Sequence, residues 1–403
     1  MSAIQPLTRP GEAGLLSDCH EYPEQINVET HHSTFPILMM ILLIIHFENV
    51  VKSPSLVPSI FPGLIEEEKA MVQNSTASGM ETFELSWNQL FGTDYSPERI
   101  TDPLLISVTP NTYPPKLDIP RADWVTTGAL PAFQALTNRD ITVSAFASIG
   151  TGAGVDALTA AEILKPKVLV VTDVHEAVVQ AAQSNIMHNL KNMNTHILAG
   201  VGDLCRPLAE FNLKYDVIYE NLPNIPLPET QALLDGLNSS SFTIWSGTGT
   251  NTDDQAYLLE LHRAFLREAK PFLAPGGRAI SCVGARVPIE TILKVPMTEG
   301  YAPEILVYNW KLQSEATEVI RGYAENQRKG LGPFHFYPME PLVKVFDGIT
   351  PQIAAANALE LEYQLAPHAI DAETALTALE RGEALAHTLV VVASSLRGQP
   401  QHD

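Results

Sequence analysis

Ala147–Ile163, ASIGTGAGVDALTAAEI, reads as the end of a strand, a glycine turn and the start of a helix. The apolar run Val143–Ile149 (VSAFASI) has strand length. Gly150, Thr151, Gly152, Ala153 and Gly154 follow it, and Val155–Leu164 is then rich in Ala and Leu at helical spacing. Glycines in such a turn let the backbone approach a ligand closely and present amides at a helix N-terminus. By itself a G-x-G-x-G turn does not name a nucleotide, because glycine turns close many buried strands.

Working outward, an alternation of strands and helices begins at residue 141, the mark of a parallel sheet. Strands are expected at Val143–Ile149, Val168–Thr172, Thr195–Ala199, Asp216–Tyr219, Arg278–Val283, Glu304–Trp310 and His387–Ser394. Helices are expected at Asp156–Leu164, Ala177–Asn189, Asp254–Leu273 and Val287–Met297, and upstream at Glu81–Leu90 and Ala129–Leu136. Residues 109–120 (TPNTYPPKLDIP) hold four prolines and are expected as loop or edge strand. The division that follows is an N-terminal extension over 1–79, poorly ordered, a helical lid region over 80–140, and a main domain over 141–399 with an insertion at about 311–386.

Asp173 ends the second strand about 20 residues after the glycine turn, where an acidic side chain can accept hydrogen bonds from both ribose hydroxyls of an adenosine. NAD enzymes and S-adenosylmethionine (SAM) methyltransferases share this device, and G-x-G-x-G in place of G-x-G-x-x-G favours SAM. The third strand runs into Gly202-Asp203-Leu204, where Asp203 suits either an adenine amine or a turn and N-cap role. With these elements in order, Ile141–Leu396 resembles the class I SAM-dependent methyltransferases. The resemblance implies an α/β fold: a Rossmann-like, seven-stranded, mostly parallel sheet with helices on both faces, an N-terminal helical lid and a helical insertion before the last strand. It also implies SAM as methyl donor, held by Gly150, Thr151, Gly152, Gly154, Asp173, Val174, Asp203, Leu204 and Asn221. His175 is expected to border the adenosine rather than to act as a base.

The fourth strand ends in Tyr219-Glu220-Asn221-Leu222-Pro223-Asn224-Ile225-Pro226, beside the place of the transferred methyl in that fold. Amide and adenine N-methyltransferases carry Asn-Pro-Pro-Tyr here; this chain has Asn221-Leu222-Pro223-Asn224. The segment through Leu227-Pro228 is similar to the methyltransferase domain of methionine S-methyltransferase. Ile119-Pro120 with Asp123-Trp124, Asp253-Asp254-Gln255 with Arg263-Ala264, Gly284-Ala285-Arg286 and Phe334-His335-Phe336-Tyr337 are similar to it as well, in order over residues 105–400. Ala285 departs from a Gly in that pattern, and the large C-terminal aminotransferase-like domain of the plant enzyme has no counterpart. The resemblance implies methyl transfer to the thioether of L-methionine, giving S-methyl-L-methionine, which in bacteria feeds dimethylsulfoniopropionate synthesis.

Such a reaction removes no proton, so no general base is expected; alignment and exclusion of water carry it. Trp124, Phe334, Phe336 and Tyr337 are candidate aromatic faces for the moving positive charge, at about 0.5–2 kcal/mol each. Arg286 is the candidate clamp for the substrate carboxylate, and Asp254 or Glu220 the candidate anchor for its ammonium, with Asn221 and Pro223 lining the acceptor. Asp253 or Asp254 suits a helix N-cap equally well. Two other functions remain open: N- or O-methylation of another metabolite or a protein side chain, and a non-catalytic SAM-binding regulatory module.

A net charge of −21, from 46 acidic and 25 basic residues, argues against a nucleic-acid partner and an anionic membrane surface. A small amino acid is the expected partner, and a homo-oligomer is compatible with the composition. Cys19, Cys205 and Cys282 are isolated, with no ligand spacing, so neither a disulfide framework nor a metal is expected. The apolar stretch Phe35–Phe47 has 13 residues, short of the roughly 20 a spanning helix needs. Asp18, Glu21, Glu24 and Glu29 before it do not suit a signal peptide, so the cytoplasm is the expected location.

Overall fold

The computed structural model describes residues 81–88, 95–109, 112, 114–116, 119–191, 194–226, 242–243 and 252–398. The expected extension over 1–79, the apolar stretch Phe35–Phe47, Cys19 and the Leu227-Pro228 pair lie outside the described residues.

Two strands open the described chain, β1 (Glu81–Leu85) and β2 (Leu104–Val108), paired antiparallel. This corrects the helix expected at Glu81–Leu90. Leu85, Leu104, Ile106 and Val108 are buried, an alternation that belongs to a strand. A π-helical turn at Val125–Ala129 then leads into α1 (Leu130–Thr137). The core alternation follows as β3 (Ala145–Ile149), α2 (Val155–Ile163), β4 (Val168–Asp173), α3 (Glu176–Asn189), β5 (His196–Val201) and β6 (Tyr215–Glu220). Short β7 (Ile225–Pro226) and β8 (Phe242–Thr243) pair with each other.

The helix expected at Asp254–Leu273 is instead two, α4 (Thr252–Tyr257) and α5 (Glu260–Ala269). Leu258 between them has φ +59°, and it and Leu259 turn into the core, so burial of two leucines breaks the helix. Then come β9 (Leu273–Gly284), α6 (Ile289–Thr298) and β10 (Tyr301–Leu312). The segment before the last strand is helical, with α7 (Ala316–Arg328), the two-residue β11 (Tyr337–Pro338), α8 (Met339–Val345), α9 (Pro351–Ala356), α10 (Ala358–Leu365) and α11 (Ala372–Glu380). The chain closes with β12 (Leu385–Leu396).

The main sheet runs β10-β12-β9-β6-β3-β4-β5, with β11 added on β12. All main strands are parallel except β12, which lies antiparallel between β10 and β9. Side chains alternate into two cores: Ala145, Ala147 and Ile149 face one, and Phe146 faces the other. The first core is closed by α5, α6 and the helices after β10; the second by α1, α2, α3 and the β1–β2 pair. Burial on both faces is why these strands read as near-continuous apolar runs. The carboxyl ends of β3, β4, β5, β6, β9 and β10, with the amino end of β12, therefore share one edge.

Candidate active site

The donor half of that edge is built from the ends of three adjacent parallel strands. Gly150, Gly152 and Gly154 have φ of +65°, +54° and +80°, a left-handed path that glycine alone follows without steric cost. At Gly150 a side chain is excluded twice over, because a Cβ there would lie 2.8 Å from Leu222 Cδ2. The loop is pinned to its neighbours: Thr151 N–H donates to Thr172 O at 3.0 Å, and Gly152 N–H lies 3.4 Å from Asp173 Oδ2. Asp156, in the first turn of α2, accepts from Ser148 Oγ at 2.5 Å and lies 3.3 Å from Thr151 Oγ1, and burial pushes its carboxyl up to about 6. Asp156 was not anticipated as part of this loop.

Asp173 also accepts from His175 N–H at 3.1 Å; burial raises its carboxyl above the usual range against those two amides. Its backbone carbonyl accepts Gly202 N–H at 2.9 Å, which ties the turn after β5 to the end of β4. Val174 beside it is 55% exposed, an apolar surface next to the carboxylate. Leu204 sits at φ +49°, a left-handed conformation costing roughly 1–2 kcal/mol for a leucine, directly after Asp203. Asp203 faces Arg206 at 3.4 Å in an exposed pair of little energetic consequence. A carboxylate at one strand end, a second two turns away, an exposed apolar residue and an open glycine loop fit an adenosine with a charged tail.

At the end of β6, Glu220 is fully buried and spoken for. Its Oε1 lies 2.8 Å from His262 Nδ1 on α5, and its Oε2 accepts Leu222 N–H at 2.8 Å. His262 Nε2 in turn lies 3.0 Å from Asn224 Nδ2. These bonds fix the half-buried Asn221–Asn224 segment, which includes Pro223, and place Glu220, a candidate ammonium anchor, in a buried pair with His262. Asp254, the other candidate anchor, is buried and paired bidentately with Arg263, whose Nη1 also reaches Glu299 at 2.7 Å. Asp253 lies in α4.

Arg286 follows β9 and is buried, its guanidinium 4.8 Å above the Tyr323 ring and 5.6 Å from Phe336. Its Nη2 donates to Gln313 Oε1 at 2.6 Å and its Nη1 lies 3.4 Å from Tyr323 Oη. Burial lowers its affinity for a proton. Trp124 lies over another cation, Lys311 Nζ, at 4.6 Å. Phe334 packs edge-on to Tyr323 at 4.9 Å, and Tyr337 is buried in β11 against Ala386. The aromatic faces expected to greet a substrate's positive charge are thus occupied by the protein's own cations and core. Lys311, Tyr323, Gln313, His262 and His387 were not anticipated, because their partners lie far along the chain. Among the described residues no cluster of metal-binding side chains exists and no helix is long and apolar enough to cross a membrane.

A parallel sheet with one antiparallel strand inserted second from its edge, over a glycine loop and an acidic strand end, has a definite kinship. The chain has the Rossmann-like methyltransferase fold. Residues 61–248 match the family described as ribosomal protein L11 methyltransferase (PrmA), over somewhat less than half of the chain. No curated protein matches. Solved structures similar to it include the ribosomal protein L11 methylase of Lactobacillus delbrueckii subsp. bulgaricus, 15% identical over 43% of this chain and 67% of that one, TM-score 0.29. A methyltransferase from Pyrococcus furiosus is 16% identical over 60% of this chain and 88% of that one, TM-score 0.31. The N-methyltransferase NodS from Bradyrhizobium japonicum, in complex with S-adenosyl-L-homocysteine, is 15% identical over 47% and 83%, TM-score 0.30.

Proposed function

We propose that this chain transfers the methyl group of SAM to the thioether sulfur of L-methionine, giving S-methyl-L-methionine and S-adenosylhomocysteine. Bound SAM supplies an electrophilic methyl carbon on a sulfonium. The acceptor sulfur attacks that carbon with a lone pair, the bond to the donor sulfur breaks with its electrons, and the positive charge moves to the acceptor. No proton leaves. Asp173 and Asp203 orient the adenosine, the Gly150–Gly154 loop admits the donor, and the Asn221–Asn224 segment holds the acceptor sulfur near the methyl.

One observation carries this reading over an amine acceptor: the titratable pair at the β6 end, Glu220 and His262, is engaged on both oxygens and both ring nitrogens. An ammonium acceptor would have to lose a proton there, whereas a thioether has none to lose. The match to ribosomal protein L11 methyltransferase favours a second reading, methylation of a protein side-chain amine.

Proton accounting separates the two. Purified protein with SAM and L-methionine should yield an S-methylated product with no proton released per turnover. Release of one proton per turnover on an amine substrate, with methionine left unchanged, would move the assignment to the second reading.

A further inference from the structure

Beyond β6, the same sheet edge gathers cations that the chain's own acids do not neutralise. Arg286 leaves β9, Lys311 ends β10 and His387 begins β12, where Lys311 and His387 are direct cross-strand partners. All three are buried, Lys311 and His387 with no measurable exposure. Trp124 joins them: its ring lies 5.4 Å from His387 and 4.6 Å from Lys311 Nζ. A Cβ on Gly284 would meet both Arg286 Nη1 and Trp124 Cη2, so the guanidinium and the indole converge on that bare backbone.

Among the described residues no carboxylate is hydrogen-bonded to Arg286 or Lys311. Lys311 donates to Leu312 O at 3.1 Å and lies 3.2 Å from Ser314 Oγ. The neighbouring acids are otherwise engaged: Glu315 is paired through Oε1 with Lys116, and Asp123 accepts the Val125 and Thr126 amides. Burying the Arg286 guanidinium without a counter-ion costs several kcal/mol, of which aromatic faces return a fraction, and burial pushes Lys311 down to about 7. Such an arrangement persists where something else completes it.

The unsatisfied atoms say what that is. Arg286 Nε is a buried donor with no partner; His387 Nε2 and Glu315 Oε2 are buried with none either. His387 Nδ1 lies 2.8 Å from Thr388 O and so carries the proton, which leaves Nε2 an acceptor. Burial and the two cations keep that imidazole neutral. One orphaned donor on a guanidinium beside two orphaned acceptors is the complement of a zwitterion.

We propose that Arg286, Lys311, His387 and Glu315, beneath the half-buried Trp124, form the receiving site for the charged end of a free α-amino acid. Arg286 and Lys311 take the carboxylate; His387 Nε2 and Glu315 Oε2 take the ammonium. The inference rests on the acceptor being a small amino acid, as proposed above, and it identifies which end of that molecule the β9–β12–β10 edge holds.

L-Norleucine, which keeps the amino-acid end of methionine and lacks its sulfur, tests the site without methyl transfer. Calorimetry on the full chain saturated with S-adenosylhomocysteine should show L-norleucine binding at least 30-fold more tightly than L-norleucinol, which has no carboxylate. Lys311→Met should cut norleucine affinity at least tenfold and leave S-adenosylhomocysteine affinity within twofold. Equal affinity for norleucine and norleucinol, or no binding of either, overturns the site, and the comparison on the unaltered chain needs no variant to fold. Norleucine binding without turnover of methionine keeps the site and removes the proposed reaction. Methionine turnover matched by methioninol does the reverse.

Discussion

Asp173 ties the glycine loop to the start of α3. Half-buried at the end of β4, it holds two backbone amides, Gly152 and His175, and so shapes the glycine loop beside exposed Val174. Asp173→Ala removes charge-assisted hydrogen bonds to a ribose, worth about 1.5–3 kcal/mol, and should weaken SAM binding about tenfold to 150-fold by titration calorimetry. Unchanged affinity in a folded variant would place the adenosine elsewhere. Asp173 was legible because strand period and distance from the glycines locate it. Lys311 was not, since a lysine near the end of an apolar run reads as a surface residue until β12 and Trp124 are laid against it.

Among the elements, the β1–β2 pair is held to the sheet core by two asparagines on α3. Asn185 Oδ1 and Nδ2 bond Ser107 N and O at 2.9 and 2.8 Å, and Asn189 does the same for Leu105 at 2.8 Å each. The four residues from Asn185 to Asn189 advance about 6 Å along α3 and two strand residues about 6.6 Å, so the two amides match alternate peptides of β2. Each acts as a substitute strand neighbour for a sheet edge. Asn185→Ala should destabilise the fold by about 1–3 kcal/mol and speed amide exchange at Ser107 at least tenfold. Unaltered protection at Ser107 would show that the clamp does not hold the strand. The five residues of β1 were too few to declare their period, which is why a helix was expected there.

For the whole molecule, charge is unevenly spent: a chain of net charge −21 concentrates buried cations at one corner of its sheet. Burial pushes Lys311 down to about 7, with Glu315 and Asp123 opposing that shift and Arg286 and Lys116 adding to it. The unfolded chain returns this lysine to about 10.4. Between those values the unfolded state binds more protons, so stability rises with pH through the window. Urea unfolding at pH 7 and pH 9 should show a gain of about 2 kcal/mol attributable to Lys311, absent in Lys311→Met. An equal pH dependence in both chains would mean that the ammonium is solvated.

A strand, a glycine loop and two acids at fixed spacing were legible in the sequence, because they are local features that periodicity and turn chemistry specify. The sequence also set the order of the seven main strands along the chain and the helical character of the segment before the last. Only the tertiary structure decided which charged side chains are available. Glu220 and Asp254 looked open and are paired with His262 and Arg263, residues 42 and 9 positions away. Lys311 and His387 looked unremarkable and lie 76 positions apart in adjacent strands (387 − 311), brought together by the antiparallel insertion of β12. Pairing across that distance is set by packing of two whole cores, and local sequence carries no record of it.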